Sequence, residues 1–197
     1  TFAQLGLSKS LVRSLESRGI FEPFPIQEAT IPDALAGRDV SGKAPTGSGK
    51  TLAFGLPLLS RVERATPNRP RALILAPTRE LADQIKQELA PLAQAVGRNV
   101  FAVYGGVGYG PQRTAVRRGV DVLVATPGRL EDLIEQRIID LSQTDIVVVD
   151  EADRMADMGF LPAVRRILDR TRNDRQTLLF SATLDGDVAV LIRSYQS

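Results

Sequence analysis

The sequence predicts an α/β domain, a parallel β-sheet with helices on both faces. Three observations predict it. Short apolar runs alternate along the chain with longer segments of helical period. The run Ile146-Val147-Val148-Val149 places four β-branched residues together without polar alternation, the pattern of a strand buried on both faces, as strands of a parallel sheet are. The segment Ala44-Pro45-Thr46-Gly47-Ser48-Gly49-Lys50-Thr51 lies between a short apolar-containing strand and a helix, where a phosphate-binding loop belongs.

Taken in order, helical spacing covers Ser8–Arg18 and Ile26–Ala36, and a short strand then leads into the Ala44–Thr51 loop. The helix that the loop opens is expected over Lys50–Arg64. A break at the Pro-containing stretch Thr66–Pro70 precedes a strand at Arg71–Ala76, and Arg79–Ala95 follows as a helix with Leu81, Ile85, Leu89 and Leu92 on one face. Strands at Val100–Tyr104 and Asp121–Ala125 flank the Gly-rich stretch Gly105–Gly110, which reads as a surface loop. It lacks the G-x-G-x-x-G spacing of a dinucleotide fingerprint, so a Rossmann site is set aside. Gly128–Arg137 reads as a helix, Ile146–Asp150 as a strand, Leu161–Arg170 as a helix, Thr177–Ser181 as a strand and Asp185–Tyr195 as a helix, with a loop at Thr171–Arg175. No internal repeat, low-complexity tract or interdomain linker interrupts this order, and the 197 residues fit one domain.

Composition narrows the chemistry. With no Cys and no His, the chain has no thiolate, disulfide or imidazole, so any catalysis must use carboxylates, Lys, Arg and a metal ion brought with a nucleotide. A net charge of +2 neither demands nor excludes nucleic acid, and any basic surface must be local. Apolar runs fall short of membrane-spanning length and the N-terminus lacks a signal-peptide layout, so a soluble cytoplasmic protein without a membrane partner is expected.

Two motifs carry the chemistry. In the first, Gly47 and Gly49 allow a curl tight enough to converge backbone N–H groups on phosphate oxygens. Lys50 brings a mobile cation to the β- and γ-phosphates, and Thr51 a hydroxyl for Mg²⁺. In the second, Asp150-Glu151-Ala152-Asp153 ends the buried strand at its C-terminal edge, where open parallel sheets bind ligands. Asp150 can reach the Mg²⁺ shell, directly or through water, and Glu151 can orient or deprotonate an attacking water. Each motif alone has a plainer reading, a Gly-rich surface turn and an acidic loop; their joint presence argues against both.

With both in place, the rest of the punctuation resembles the N-terminal RecA-like domain of bacterial-type DEAD-box ATP-dependent RNA helicases. The resemblance runs from Phe2 to about Tyr195 in the family's order: Gly19–Gln27 as the adenine-reading Q motif, Ala44–Thr51, Pro77-Thr78-Arg79-Glu80-Leu81, Gly105-Gly106, Thr126-Pro127-Gly128-Arg129, Asp150–Asp153 and Ser181-Ala182-Thr183. It implies an ATP and Mg²⁺ site with Lys50, Asp150 and Glu151 as catalytic groups. Phe2, Ile20, Gln27, Thr46, Gly47, Ser48, Gly49, Lys50 and Thr51 would contact nucleotide, and Thr51 and Asp150 the metal. A single RNA strand would lie on Pro77, Thr78, Arg79, Gly105, Gly106, Thr126, Gly128 and Arg129, and Asp153, Ser181 and Thr183 would couple hydrolysis to strand separation. The Gln27 amide matches the N6 and N7 edge of adenine.

The chain departs from the family's pattern at three positions. Ile20 stands where an aromatic often packs on adenine, Glu22 where many relatives are basic, and Phe24 where a small hydroxyl residue is usual. Core packing is an equally good account of Phe2 and Ile20, and a helix-surface salt bridge of Arg79 and Arg129. Ser181 and Thr183 are expected to place a hydroxyl on the Asp153 carboxylate, although an ordinary helix approach reads the same way. The clusters Arg117-Arg118, Arg165-Arg166 and Arg170–Arg175 read as solvated faces.

Nothing after Thr183 resembles the second, C-terminal RecA-like domain that carries the family's arginine fingers, so the expectation is a monomeric ATP-binding half that holds ATP or ADP and single-stranded or duplex RNA weakly and hydrolyses little. A free-standing nucleotide-dependent adaptor and a P-loop ATPase acting on DNA or protein are the alternatives. The Gln27 and Thr126–Arg129 motifs fit the last poorly.

Overall fold

The computed structural model describes residues 1–45 and 47–197; the expectation for Thr46 lies outside the described residues. In chain order the elements are α1 Lys9–Ser17, α2 Pro25–Leu35, β1 Val40–Lys43, α3 Lys50–Arg61, β2 Ala72–Leu75, α4 Arg79–Ala95, β3 Val100–Val103, α5 Tyr109–Arg118, β4 Val122–Ala125, α6 Pro127–Glu135, β5 Ile146–Asp150, α7 Ala152–Asp157, α8 Leu161–Leu168, β6 Gln176–Ser181 and α9 Gly186–Tyr195. The six strands form one sheet in the order β1-β6-β5-β2-β4-β3, with every neighbouring pair parallel. Among the described residues no helix is long and apolar enough to cross a membrane.

The alternation of side chains along each strand divides the core in two. Ile74, Val148, Leu178 and Phe180 face α1 to α4, where Leu11, Ile31, Phe54 and Ile85 close the layer. Leu73, Val147, Val149 and Leu179 face α5 to α9, against Leu133, Met155, Ile167 and Leu191. The central strands β2, β4 and β5 are buried at every position, which is why they lack polar alternation in sequence.

Register sets the functional edge. Lys43 pairs with Ser181, and Asp150 with Phe180, so β1, β6 and β5 end at nearly the same level. The chain leaves β1 into the phosphate-loop sequence, β5 into Glu151 and β6 into Ala182. The other half of the edge is formed by the ends of β2, β4 and β3, followed by Pro77–Arg79, Thr126–Arg129 and Gly105–Gly106.

The structure corrects the reading in three places. The Gly-rich stretch is not loop throughout, because Gly108 caps a helix that starts at Tyr109. Only Gln112 and Val116 of that helix are buried, so it carries little apolar periodicity, and Pro111 sits in the first turn, where a missing N–H is harmless. A second helix, α7, follows Glu151 and is too short for a periodic signal. The helix α3 ends at Arg61 rather than Arg64, because Val62 turns to extended backbone and buries its side chain in the core.

Candidate nucleotide and phosphate-binding edge

The loop before α3 depends on glycine at two left-handed positions, Gly47 at φ 81° and Gly49 at φ 82°. A Cβ on Gly49 would stand 2.6 Å from the Phe24 ring and 2.7 Å from Gln27 Nε2, so the position is closed to larger residues on steric grounds as well. No side chain caps the start of α3, and its N-terminal dipole is left for a ligand.

Lys50 is nearly buried, at 6% exposure, and its ammonium is held between two carboxylates. Nζ donates to Asp150 Oδ1 at 2.8 Å and to Glu151 Oε2 at 3.0 Å. Asp150 is fully buried. Burial pushes its carboxyl up to about 6, against the opposing pull of Lys50. Its Oδ1 also accepts the Glu151 N–H at 3.0 Å, while Oδ2, buried, has no partner among the described residues. A hard cation with an oxygen shell is what such an orphaned carboxylate oxygen suits, so Asp150 fits Mg²⁺, and Thr51 brings its hydroxyl to the lining of the cavity in front of Lys50. Ser48 Oγ is a second buried oxygen without a partner among the described residues.

Glu151 adopts left-handed backbone at φ 52°, uncommon for a non-glycine residue and a place where local strain holds a side chain in one direction. The carboxylate is steadied from the far side by Arg154 at 3.4 Å. A cavity of about 470 Å³ opens in front of these groups, lined among others by Gly47, Lys50, Thr51, Thr78, Glu151 and Arg154. Glu88 lines it too, its carboxyl raised by burial while Arg18 draws it down. Sequence reasoning missed Arg154 and Glu88, which lie on the helices that begin with the Asp150–Asp153 and Pro77–Leu81 motifs but beyond the motifs themselves.

Gln27 is 3% exposed, and its amide is engaged at both ends. Oε1 accepts the Phe24 N–H and Nε2 donates to the Gly49 carbonyl, each at 2.9 Å. It thereby ties the start of α2 to the phosphate loop, with one amide hydrogen and one lone pair left over. Phe2 lies in the core at 2% exposure and Ile20 packs against the same core, so in this conformation core packing accounts for both.

On the other half of the edge, the Thr78 hydroxyl accepts the Leu81 N–H at 3.2 Å and caps α4. Thr126 begins α6 with no side-chain cap, followed by Pro127. Neither Arg79 nor Arg129 forms an ion pair among the described residues. Arg79 sits 5.0 Å over the Tyr104 ring. Arg129 lies 4.0 Å over the Tyr109 ring and donates to the Val107 carbonyl at 3.0 Å and to Gln112 Oε1 at 3.1 Å. The salt-bridge alternative gives way to a different arrangement, two guanidinium groups over the rings of Tyr104 and Tyr109, which flank Gly105–Gly106 in the chain. Tyr109 and Gln112 escaped notice because their helix did.

Ser181, 1% exposed, bridges the two motif-bearing loops. Its carbonyl accepts the Ala44 N–H at 2.8 Å and its hydroxyl oxygen accepts the Asp153 N–H at 3.1 Å. The bond therefore goes to the Asp153 backbone rather than to its carboxylate as expected, because Asp153 is in the first turn of α7, where N–H groups lack helical acceptors. Thr183 is exposed and makes no side-chain hydrogen bond among the described residues. The arginine clusters are exposed for the most part, with Arg166 in a bidentate pair with Glu131 at 2.8 Å.

A phosphate loop, an acidic strand end and a row of helix starts along one sheet edge invite comparison with known proteins. The chain is 46% identical to the DEAD-box ATP-dependent RNA helicase 3A, chloroplastic, of Zea mays, over 98% of this chain and 27% of that protein. It is 48% identical to the ATP-dependent RNA helicase RhlB of Xanthomonas campestris pv. campestris, over 97% of this chain and 35% of that one. The chain thus spans roughly a quarter to a third of the curated relatives it matches. Among solved structures, the RNA-helicase Prp28 from Chaetomium thermophilum bound to ADP superposes with a TM-score of 0.91 at 44% identity, covering 98% of this chain and 48% of that one. A DEAD box protein from Methanococcus jannaschii gives 0.93 at 35% identity, over 100% of this chain and 53% of that one. The family model for the DEAD/DEAH box helicase matches residues 24–191, taking in the Gln27 amide, the Lys50–Asp150 pair and the Ser181 bridge, and so the chain, with its RecA-like sheet, belongs to the DEAD/DEAH box helicase family.

Proposed function

We propose that this chain is the ATP-binding half of an RNA helicase whose intact form couples Mg-ATP hydrolysis to local unwinding of RNA duplexes or remodelling of RNA–protein assemblies. The observation that carries the reading is the Lys50 ammonium held between Asp150 and Glu151 at the mouth of the cavity, with Asp150 Oδ2 left without a partner. A triphosphate entering the loop offers Lys50 a new anionic partner. Its withdrawal from the carboxylates frees Glu151 to take a proton from water and leaves Asp150, with Thr51, to hold Mg²⁺. The metal, when bound, neutralises phosphate charge as it develops on the oxygens. Gln27 reads adenine with its remaining donor and acceptor. Ser48, Gly47 and Gly49 serve the phosphates, and Thr46 is assigned with them from sequence.

RNA is assigned to the β2-β4-β3 half of the edge, with Pro77, Thr78, Arg79, Gly105, Gly106, Thr126, Gly128 and Arg129 facing phosphates rather than base edges. Asp153, Ser181 and Thr183 are assigned to coupling hydrolysis to strand separation, a role supported by Ser181 joining the end of β1, ahead of the phosphate loop, to α7. A second RecA-like domain of the parent protein supplies the arginines that stabilise the transition state, an effect on the order of 10³ to 10⁵ in rate where such residues act. This half alone therefore binds nucleotide and RNA weakly and turns over little. The test is ATPase activity of the full-length parent with RNA and with DNA. Stimulation by RNA alone is expected, and stimulation by DNA alone would reject the assignment.

A further inference from the structure

Phe21 at 58% and Phe24 at 52% are the two most exposed large hydrophobic residues among those described, and Phe24 stands beside the phosphate loop. Phe24 also occupies the N-cap of α2, a position that favours Ser, Thr, Asp or Asn, and its side chain makes no capping bond there. The helix start is held instead by the Phe24 N–H on Gln27 Oε1. A half-exposed ring at a site that prefers a small hydroxyl costs the free chain both solvation and a cap.

The ring is not idle in space. Its Cδ2 and Cγ lie 2.6 and 3.2 Å from the point a Gly49 Cβ would take, so it rests directly on the junction of the phosphate loop and α3. It does not line the phosphate cavity itself. Gln27, the residue assigned to the base, meets the loop at the same point, its Nε2 2.7 Å from that Cβ position and 2.9 Å from the Gly49 carbonyl. A base read by Gln27 would therefore lie within reach of the Phe24 ring. Ile20 packs against the core and has no π face to offer there.

We propose that Phe24 is a nucleobase-contact residue, its ring supplying the aromatic face on which the base of a bound nucleoside di- or triphosphate stacks. The proposal rests on the reading of the cavity as a nucleotide site. Stacking contributes through the π face and is indifferent to the phosphates, and the capping preference gives the same position a stability effect of opposite sign.

The experiment is calorimetric titration of the chain and of Phe24→Thr, Phe24→Leu and Phe24→Tyr with ADP and with inorganic pyrophosphate, together with thermal melts. Phe24→Thr is expected to raise the Kd for ADP about five- to twentyfold, leave pyrophosphate binding unchanged and raise the melting temperature, because Thr caps α2. Phe24→Leu should also weaken ADP, and Phe24→Tyr should restore it. ADP binding that is unchanged or tighter in Phe24→Thr would overturn the proposal, as would equal weakening of ADP and pyrophosphate, which would mean a damaged loop rather than a lost base contact. If the unmodified chain binds neither ligand, the nucleotide reading falls and this inference with it.

Discussion

Lys50 Nζ lies 2.8 Å from Asp150 Oδ1, although β6 separates the strands that carry the two residues to the sheet edge. The pair is almost fully buried, and burial raises the Asp150 carboxyl to about 6 even with the ammonium beside it. Desolvation therefore outweighs attraction in the nucleotide-free domain, which holds this charge at a cost to its own stability.

The Asp150 carboxyl sits above its ordinary value of 3.8, so the folded state binds the proton more tightly than the unfolded chain does. The cost of ionising it develops as pH rises from near 3.8 and is complete above about 6. Asp150→Asn removes that cost. It should stabilise the nucleotide-free domain by up to about 3 kcal/mol at pH 7.5 and by little at pH 4, read from urea unfolding at both. Loss of stability at pH 7.5 would mean that the Lys50 pair outweighs desolvation.

Gln27→Ala should lower the preference for ADP over GDP, because the amide is the one group assigned to the adenine edge. It should also destabilise the domain by about 1–3 kcal/mol, since the Phe24 N–H and the Gly49 carbonyl both lose a partner. Lys50→Ala should instead weaken triphosphate binding with either base. Titrations with ADP, GDP and ATP separate the two, and equal ADP and GDP affinities in the unmodified chain would end the adenine assignment.

Arg129→Ala should lower the salt slope of single-stranded RNA binding by about 0.7, the value for one phosphate contact. The guanidinium also pins Val107, Tyr109 and Gln112, so Arg129→Lys, which keeps the charge but not the stack, should retain the slope while losing affinity. Fluorescence titration across a salt series measures both. An unchanged slope in Arg129→Ala places the residue outside the RNA path.

How far the sequence announced all this depends on which force fixes each part. Strands β2, β4 and β5 were legible because burial on both faces leaves an unbroken apolar run, and the phosphate loop because left-handed backbone demands Gly47 and Gly49. The helix α5 was hidden, since its polar exterior and two buried residues give no period to read. Partner atoms are fixed by tertiary approach alone. Nothing local says that Ser181 will meet the amide of Asp153 rather than its carboxylate, that Arg129 will lie on Tyr109, or that Gln27 will hold the Gly49 carbonyl.

In the full-length parent, Glu151→Gln should bind ATP and RNA yet turn over slowly, because the amide keeps the shape and the bond from Lys50 but cannot accept a proton from water. Ser181→Ala with Thr183→Ala should behave otherwise. The Ser181 hydroxyl meets the start of α7, not the cavity in front of Lys50, and its carbonyl bond to Ala44 survives the substitution. The phosphate loop should thus keep its form, and hydrolysis should persist while duplex separation falls. Parallel ATPase and strand-displacement assays decide between the roles: if the double substitution abolishes hydrolysis as fully as Glu151→Gln does, these hydroxyls belong to the hydrolytic site and not to the coupling of hydrolysis to strand separation.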